Sequence, residues 1–245
     1  MTDAETKPVP RALLVSPFYA TVDVLERIVR DDRRVHWVVA LLSLVVASYL
    51  YVPIHELLHV LGCTATGGSV TTLEIQAQFG GAILAEVFPF VRAGGEYAGR
   101  LSGFDTHGSD LVYLATDALP YALSLLIGVP LLRACGRASR PLLFGPAVVL
   151  GLAPFYNLPG DYYEMGSILV TRILGEAWHP LRSDDIFVVL EGVWRAPQAL
   201  LVVFTSLVVA IALAYGTWEA GDRLARVWNR QPSADSGEHA DGSGD

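Results

Sequence analysis

Residues 35–54, VHWVVALLSLVVASYLYVPI, form an uninterrupted apolar stretch that runs directly into HELLHVLG at residues 55–62. About twenty apolar residues in a helix cover the ~30 Å hydrocarbon core of a bilayer, because each residue rises ~1.5 Å. The stretch therefore predicts a transmembrane helix. The histidine and glutamate side chains that follow it predict that the same helix contributes to a functional site.

Three further apolar blocks lie at residues 111–132, 141–175 and 197–218, and the third is interrupted by NLPGD at 157–161. Of the 245 residues, 52% are hydrophobic and only 17% are charged, whereas soluble domains carry about 25% charged residues. The pattern predicts an all-α polytopic membrane protein with about four transmembrane segments, near 35–61, 111–132, 141–175 and 197–218. The third segment is predicted to be broken at 157–160. This composition excludes a disordered chain, a fibrous repeat and a small disulfide scaffold.

The two ends of the chain are polar. Residues 1–34 form a polar segment in which 13–29 carry a weak amphipathic pattern, so both an interfacial helix and a solvated lead-in remain open. Residues 231–245, QPSADSGEHADGSGD, predict a disordered acidic tail. Between them, residues 35–230 are expected to form one membrane-embedded domain.

A different composition marks residues 64–110, which are rich in Gly and Thr. The segment SVTTLEIQAQF at 69–79 partly alternates and predicts a short strand or hairpin at the membrane edge. Its candidate buried positions are Val70, Leu73, Ile75 and Phe79. The apolar segment at 80–91 is too short to span a bilayer and is predicted to be re-entrant or interfacial.

The basic residues are distributed unevenly around the predicted spans. With four crossings, most of them fall on one side of the membrane: Lys7, Arg11, Arg27, Arg30, Arg33, Arg34, Arg133, Arg137, Arg140, Arg223, Arg226 and Arg230. The positive-inside rule then predicts that both termini are cytoplasmic. The net charge of −8 and the lack of a basic stripe argue against nucleic-acid binding.

The string HELLH at 55–59 matches the HExxH pattern. On a helix, residues four apart share a face, so His55 and His59 can bind one metal ion, while Glu56 lies beside it and can act as a general base. A charged side chain in hydrocarbon costs about 2.5–3.5 kcal/mol on insertion scales. Interfacial placement of Glu56 with hydrogen-bonded histidines is the competing interpretation, but a metal site accounts better for all three side chains.

A catalytic zinc site needs a third protein ligand. Asp161 follows a Pro-Gly break inside an apolar block, where unwound backbone is tolerated only beside protein or a wet cavity. It ranks first as third ligand, ahead of Glu164 and Asp117. Capping the following helix is the other role open to Asp161.

The HExxH motif within an apolar span, the Gly-rich strand-like segment after it and the late NLPGD break resemble the site-2 protease family of intramembrane zinc metalloproteases. The resemblance covers mainly residues 48–80 and 141–176. It implies His55, His59 and Asp161 as zinc ligands, Glu56 as general base and Asn157 as a catalytic helper. The chain lacks the family's Leu-Asp-Gly triplet. In that family the HExxH helix typically ends toward the cytosol, whereas the basic residues here predict the opposite orientation.

The resemblance implies one Zn²⁺ per chain and hydrolysis of a peptide bond in or near a transmembrane segment of a membrane-protein substrate, as in regulated intramembrane proteolysis. The expected location is the lipid bilayer of a prokaryotic cell, with several membrane passes. Two other functions remain open. One is a zinc-dependent membrane hydrolase with a non-peptide substrate or with Glu164 as third ligand, and the other is a non-catalytic scaffold or transporter.

Overall fold

A computed structural model of the chain describes residues 13–30, 33–182, 185–193 and 195–228. The predicted acidic tail at 231–245 lies outside the described residues, as does most of the polar segment that precedes the first helix. The described part consists mainly of helices, with one small sheet inserted between the first and second apolar blocks.

The helices and strands follow the chain in a simple order. The helices are α1 (Ser16–Arg30), α2 (Arg34–Ala65), α3 (Gly81–Val87), α4 (Asp110–Ala118), α5 (Val129–Cys135), α6 (Pro141–Tyr156), α7 (Tyr163–Leu174), α8 (Ile186–Val193) and α9 (Pro197–Trp228). The strands are β1 (Ser69–Ile75), β2 (Val91–Ala93) and β3 (Gly99–Asp105).

Among the described residues, four helical segments are long and apolar enough to cross a membrane: Arg34–Ala65, Asp110–Cys135, Pro141–Leu174 and Pro197–Trp228. They confirm the four predicted apolar helices. The first and the last are longer than predicted, because α2 ends at Ala65, four residues beyond 61, and α9 continues for ten residues beyond 218. The added part of α9, EAGDRLARVW at 219–228, is largely polar and lacks the apolar pattern on which the predicted boundary was based.

Two of the four segments are irregular. The second passes from α4 to α5 through a short 3₁₀ turn, Leu119–Tyr121, and a π-helical turn, Ser124–Gly128. The third is broken between α6 and α7 at Leu158–Tyr162, where Gly160 has non-helical angles of φ −99° and ψ −112°. The predicted break at 157–160 is therefore present.

Small residues bring the helices close together. A Cβ added to Gly145 of α6 would lie 2.1 Å from the Ser43 carbonyl oxygen of α2, and one added to Gly166 of α7 would lie 2.4 Å from the Ser206 carbonyl oxygen of α9. Such contacts replace the hydrophobic driving force that is missing between helices in lipid. They hold α6 and α7 against α2 and α9 and so place the broken segment beside the HELLH string.

The three strands form one sheet in the order β2-β1-β3. Strand β1 pairs in parallel with β2, Leu73 opposite Val91, and antiparallel with β3, Ile75 opposite Gly99. The predicted strand is confirmed with a shorter extent, because Ala77–Phe79 forms a 3₁₀ turn after Gln76. Leu73 and Ile75 are fully buried, whereas Val70 and Phe79 are only partly buried.

Helix α1 has two apolar faces. Ala20, Val24 and Ile28 are buried against the bundle, in a cluster that includes Val129 and Trp218. The other face, with Phe18, Val22, Leu25 and Val29, is exposed. Residues 16–30 are therefore helical, and their position at a membrane interface stays a prediction.

Candidate metal site

The site is formed where α2 meets the break between α6 and α7. His55 Nε2 lies 3.0 Å from His59 Nε2 and 3.0 Å from Asp161 Oδ2, and His59 Nε2 lies 3.4 Å from the same carboxylate oxygen. Both histidines are buried, at 5% and 7% exposure. Within the described part of the chain, this is the group of His, Cys, Asp and Glu side chains with the spacing needed to hold a metal ion.

The triangle of ligand atoms fits a tetrahedral divalent metal. Zn–N and Zn–O bonds of about 2.0–2.1 Å at tetrahedral angles place neighbouring ligand atoms about 3.3–3.4 Å apart. The observed separations of 3.0, 3.0 and 3.4 Å are close to that edge length. Two imidazole nitrogens and one carboxylate oxygen leave a fourth position open, as catalytic zinc sites do.

The distal ring nitrogens are held by neighbouring groups. His59 Nδ1 lies 2.9 Å from the Thr116 carbonyl oxygen of α4. Because a carbonyl only accepts, Nδ1 carries the proton and Nε2 presents its lone pair to the site. His55 Nδ1 lies 2.7 Å from the Tyr51 hydroxyl, one helical turn earlier on α2. Outer contacts of this kind orient metal-binding histidines.

Asp161 reaches the histidines because the helix is interrupted there. Its Oδ2 accepts a 2.5 Å hydrogen bond from the Tyr121 hydroxyl, which belongs to the 3₁₀ turn of the second segment. Among the described residues, the Asp161 carboxylate forms its hydrogen bonds with His55 and Tyr121 and with no backbone N–H of α7.

A cavity of about 230 Å³ opens beside the histidines and Asp161. Its lining residues come from α2, β3 and the loop before it, α4, the broken segment, α7 and the residue before α8: Glu56, His59, Tyr97, Gly99, Arg100, Leu101, Phe104, Tyr113, Thr116, Asp117, Gly160, Asp161, Glu164 and Asp185. Five of these carry carboxylates and one is an arginine. Grouped carboxylates in a partly apolar cavity repel one another, so the donor set suits a bound cation.

Glu56 lines this cavity, and the sheet encloses it. A Cβ added to Gly99 of β3 would lie 2.4 Å from Glu56 Cγ and 3.0 Å from Glu56 Oε1. Only a glycine leaves room for the Glu56 side chain at this position. The described residues offer the Glu56 carboxylate no hydrogen-bond or ion-pair partner within the usual distances, which leaves its oxygens available to accept a proton.

The remaining predicted site residues are nearby but outside the triangle. Glu164 is buried, lines the cavity and accepts a hydrogen bond from Tyr113. Asp117 is buried at the same cavity. Asn157 Nδ2 donates a 2.9 Å hydrogen bond to the Tyr51 hydroxyl and is not among the residues that line the cavity. It reaches His55 only through Tyr51, and its predicted catalytic role stays a prediction.

Sequence reasoning missed four contributors: Tyr51, Tyr121, the Thr116 carbonyl and Gly99. The i, i+4 spacing between Tyr51 and His55 on α2 was a usable signal, because such residues share a helix face. Tyr121, Thr116 and Gly99 come from separate elements, and no local pattern marks them.

We expect Tyr51→Phe to weaken zinc binding about 10- to 100-fold, the usual cost of losing an outer contact to a metal-binding histidine. The change removes the hydroxyl that contacts both His55 and Asn157. The measurement is a zinc dissociation constant from competition with a chelator. Tyr49→Phe is the matched control, since Tyr49 lies on the same helix and is half exposed. Equal affinities in the two variants would contradict the prediction.

We expect Gly99→Ala to leave the zinc content unchanged, because the new methyl group meets Glu56 and not a ligand, and to slow any reaction that needs Glu56 in place by up to about 100-fold. The comparison is between cleavage rate and bound zinc for the purified variant. Ser102→Val adds bulk at an exposed position of the same strand and should leave both unchanged. Loss of zinc in Gly99→Ala would show that β3 supports the ligands instead.

Comparisons of the chain with protein-family models, with characterised proteins and with solved structures find no match. The chain is a helical protein. Its described residues include four segments long and apolar enough to cross a membrane and a group of side chains spaced to hold a metal ion.

Proposed function

We propose that the chain is an intramembrane zinc metalloprotease that hydrolyses a peptide bond in or near a transmembrane segment of another membrane protein. The observation that carries the proposal is the convergence of His55, His59 and Asp161 beside Glu56, on helices apolar enough to lie in a bilayer. The resemblance to the site-2 protease family supports the same activity.

His55, His59 and Asp161 would hold the zinc ion. When bound, zinc supplies Lewis acidity, which activates water for attack and polarises the scissile carbonyl group. The two imidazoles and one carboxylate are the ligand types that zinc prefers in catalytic sites. Tyr121 and the Thr116 carbonyl keep Asp161 and His59 in place, so little reorganisation is needed on binding.

Glu56 would move the proton. Its carboxylate lines the cavity next to His59 and Asp161 and would accept a proton from the attacking water, then donate it to the leaving amine. A carboxylate that already had a strong partner would be a poor base. Gly99 of β3 leaves the space that the Glu56 side chain occupies beside the cavity.

A helical substrate must unwind before its carbonyl can be attacked, and an unwound segment needs new hydrogen-bond partners. Strand β1 is the central strand of the sheet and pairs on both sides, so it offers no free edge to a substrate. Strand β3 has one unpaired edge, and Gly99, Arg100 and Leu101 line the cavity. We assign the substrate-pairing role to β3, which would hold an extended peptide by strand addition.

The test uses the full-length protein reconstituted in liposomes with a single-span reporter. We expect about one zinc per chain by metal analysis, reporter cleavage, loss of cleavage on chelation and recovery with added zinc. Zinc binding without cleavage of any peptide reporter would favour a hydrolase with a non-peptide substrate. Absence of bound metal would overturn the proposal in favour of a scaffold or transporter.

A further inference from the structure

A second and larger cavity, of about 600 Å³, lies between α1 and the loop that joins α5 to α6. Its lining residues are Ala20, Asp23, Glu26, Arg27, Arg30, Leu132, Arg133, Gly136, Arg137, Ala138 and Ser139. None of them lines the cavity beside the histidines. Its size is within the ~300–1,000 Å³ range of ligand pockets.

The charge of this cavity is opposite to that of the chain as a whole. Four arginines face two carboxylates, in a protein whose net charge is −8. Arg30 pairs with Glu26 at 2.6 Å, and Arg133 pairs with Asp222 at 2.5 Å. Arg27 and Arg137 have no hydrogen-bond or ion-pair partner among the described residues. Against these four arginines stand the carboxylates of Asp23, Glu26 and Asp222, so the cavity keeps a net positive charge.

The cavity lies where helices begin and end at one face of the bundle. Helix α2 begins at Arg34, α5 ends at Cys135 and α6 begins at Pro141. Arg133 also lies 3.4 Å from the Ser16 hydroxyl at the start of α1. This face corresponds to the end of the hydrophobic spans, the level at which lipid headgroups are found.

Helix α1 supplies an apolar surface next to these charges. Phe18, Val22 and Val29 are 49%, 55% and 42% exposed, although the opposite face of the helix is buried in the bundle. A helix with an exposed apolar stripe and arginines on its polar side suits the boundary between headgroups and acyl chains. Acyl chains would cover the stripe while the headgroup enters the cavity.

We propose that this cavity binds a phosphate-bearing anion, the headgroup phosphodiester of an anionic membrane lipid, through Arg27 and Arg137. The planar guanidinium group of arginine matches phosphate oxygens in a bidentate geometry. Free inorganic phosphate has the same oxygen chemistry but no acyl chains. The site is independent of the proposed protease activity.

The test is native mass spectrometry of the full-length protein in a neutral detergent with three probes: dioctanoyl phosphatidylglycerol, dioctanoyl phosphatidylcholine and inorganic phosphate. We expect phosphatidylglycerol to bind more tightly than phosphatidylcholine. The double variant Arg27→Gln/Arg137→Gln should bind phosphatidylglycerol about 30-fold more weakly, the factor for two arginine contacts to anionic lipid. Arg137→Lys keeps the charge but loses the bidentate geometry, so it should lose affinity less than Arg137→Gln does.

The matched control is Arg92→Gln/Arg223→Gln, which changes the net charge equally at two exposed positions outside the cavity. Unchanged phosphatidylglycerol affinity in the first double variant, or an equal loss in both, would overturn the proposal. Inorganic phosphate binding that is lost only in the first double variant would support the anion site with free phosphate as its source. Both arginines are exposed and unpaired, so the thermal midpoints of the lipid-free variants should match that of the wild type.

Discussion

A Glu56→Gln variant is expected to keep its zinc and to cleave the reporter about 100- to 10,000-fold more slowly than the wild type, the usual contribution of a general acid–base. Glutamine has nearly the same shape as glutamate, but its amide cannot accept the proton of the attacking water. Glu56 lies outside the metal-ligand group, so the zinc content should not change. The measurements are initial cleavage rates in liposomes and zinc per chain on the same samples.

The control is Glu86→Gln, which makes the same chemical change at an exposed position of α3 and should leave both quantities unaltered. Full activity of Glu56→Gln would overturn the assignment of the base. Loss of zinc from that variant would show that Glu56 is a ligand, which the observed triangle does not include.

Asp161→Ala and Glu164→Ala are expected to differ sharply in zinc binding. Asp161 supplies the oxygen that lies 3.0 Å and 3.4 Å from the two histidine nitrogens. Its removal should weaken zinc binding more than about 100-fold, which exceeds the effect of losing a group that only contacts a metal ligand. Glu164 is hydrogen-bonded to Tyr113, and its removal should leave the zinc dissociation constant within about tenfold of the wild type. Chelator competition measures both values.

Glu164→Gln is the second variant for that position, because it preserves the volume of a buried side chain and keeps a hydrogen bond with Tyr113 available. Strong loss of zinc from both Glu164 variants, with retention in Asp161→Ala, would make Glu164 the third ligand. That result would favour the alternative of a zinc-dependent membrane hydrolase with Glu164 as third ligand.

The sequence predicted the helical architecture because hydrophobic length and continuity are local properties. The block at 35–54 and the block at 197–218 each satisfy the span criterion without reference to any other part of the chain. The strand at 69–75 was also found from local alternation. The predicted ends of these helices were less accurate. Helices α2 and α9 both continue past their apolar stretches, and hydropathy alone does not mark where such a helix ends.

The HELLH string alone determined that His55 and His59 share a face and that Glu56 lies next to them, because helix periodicity fixes those relations. That Asp161, 106 residues later, lies 3.0 Å from His55 was a ranked choice among three carboxylates. The tertiary structure decides it by packing α6 and α7 against α2 and α9 through small residues and by the break at Gly160. The positions of Tyr121 and Gly99 beside the site depend on the same packing. Contacts between distant segments depend on how the helices pack, so they cannot be predicted from the periodicity of a local stretch of sequence.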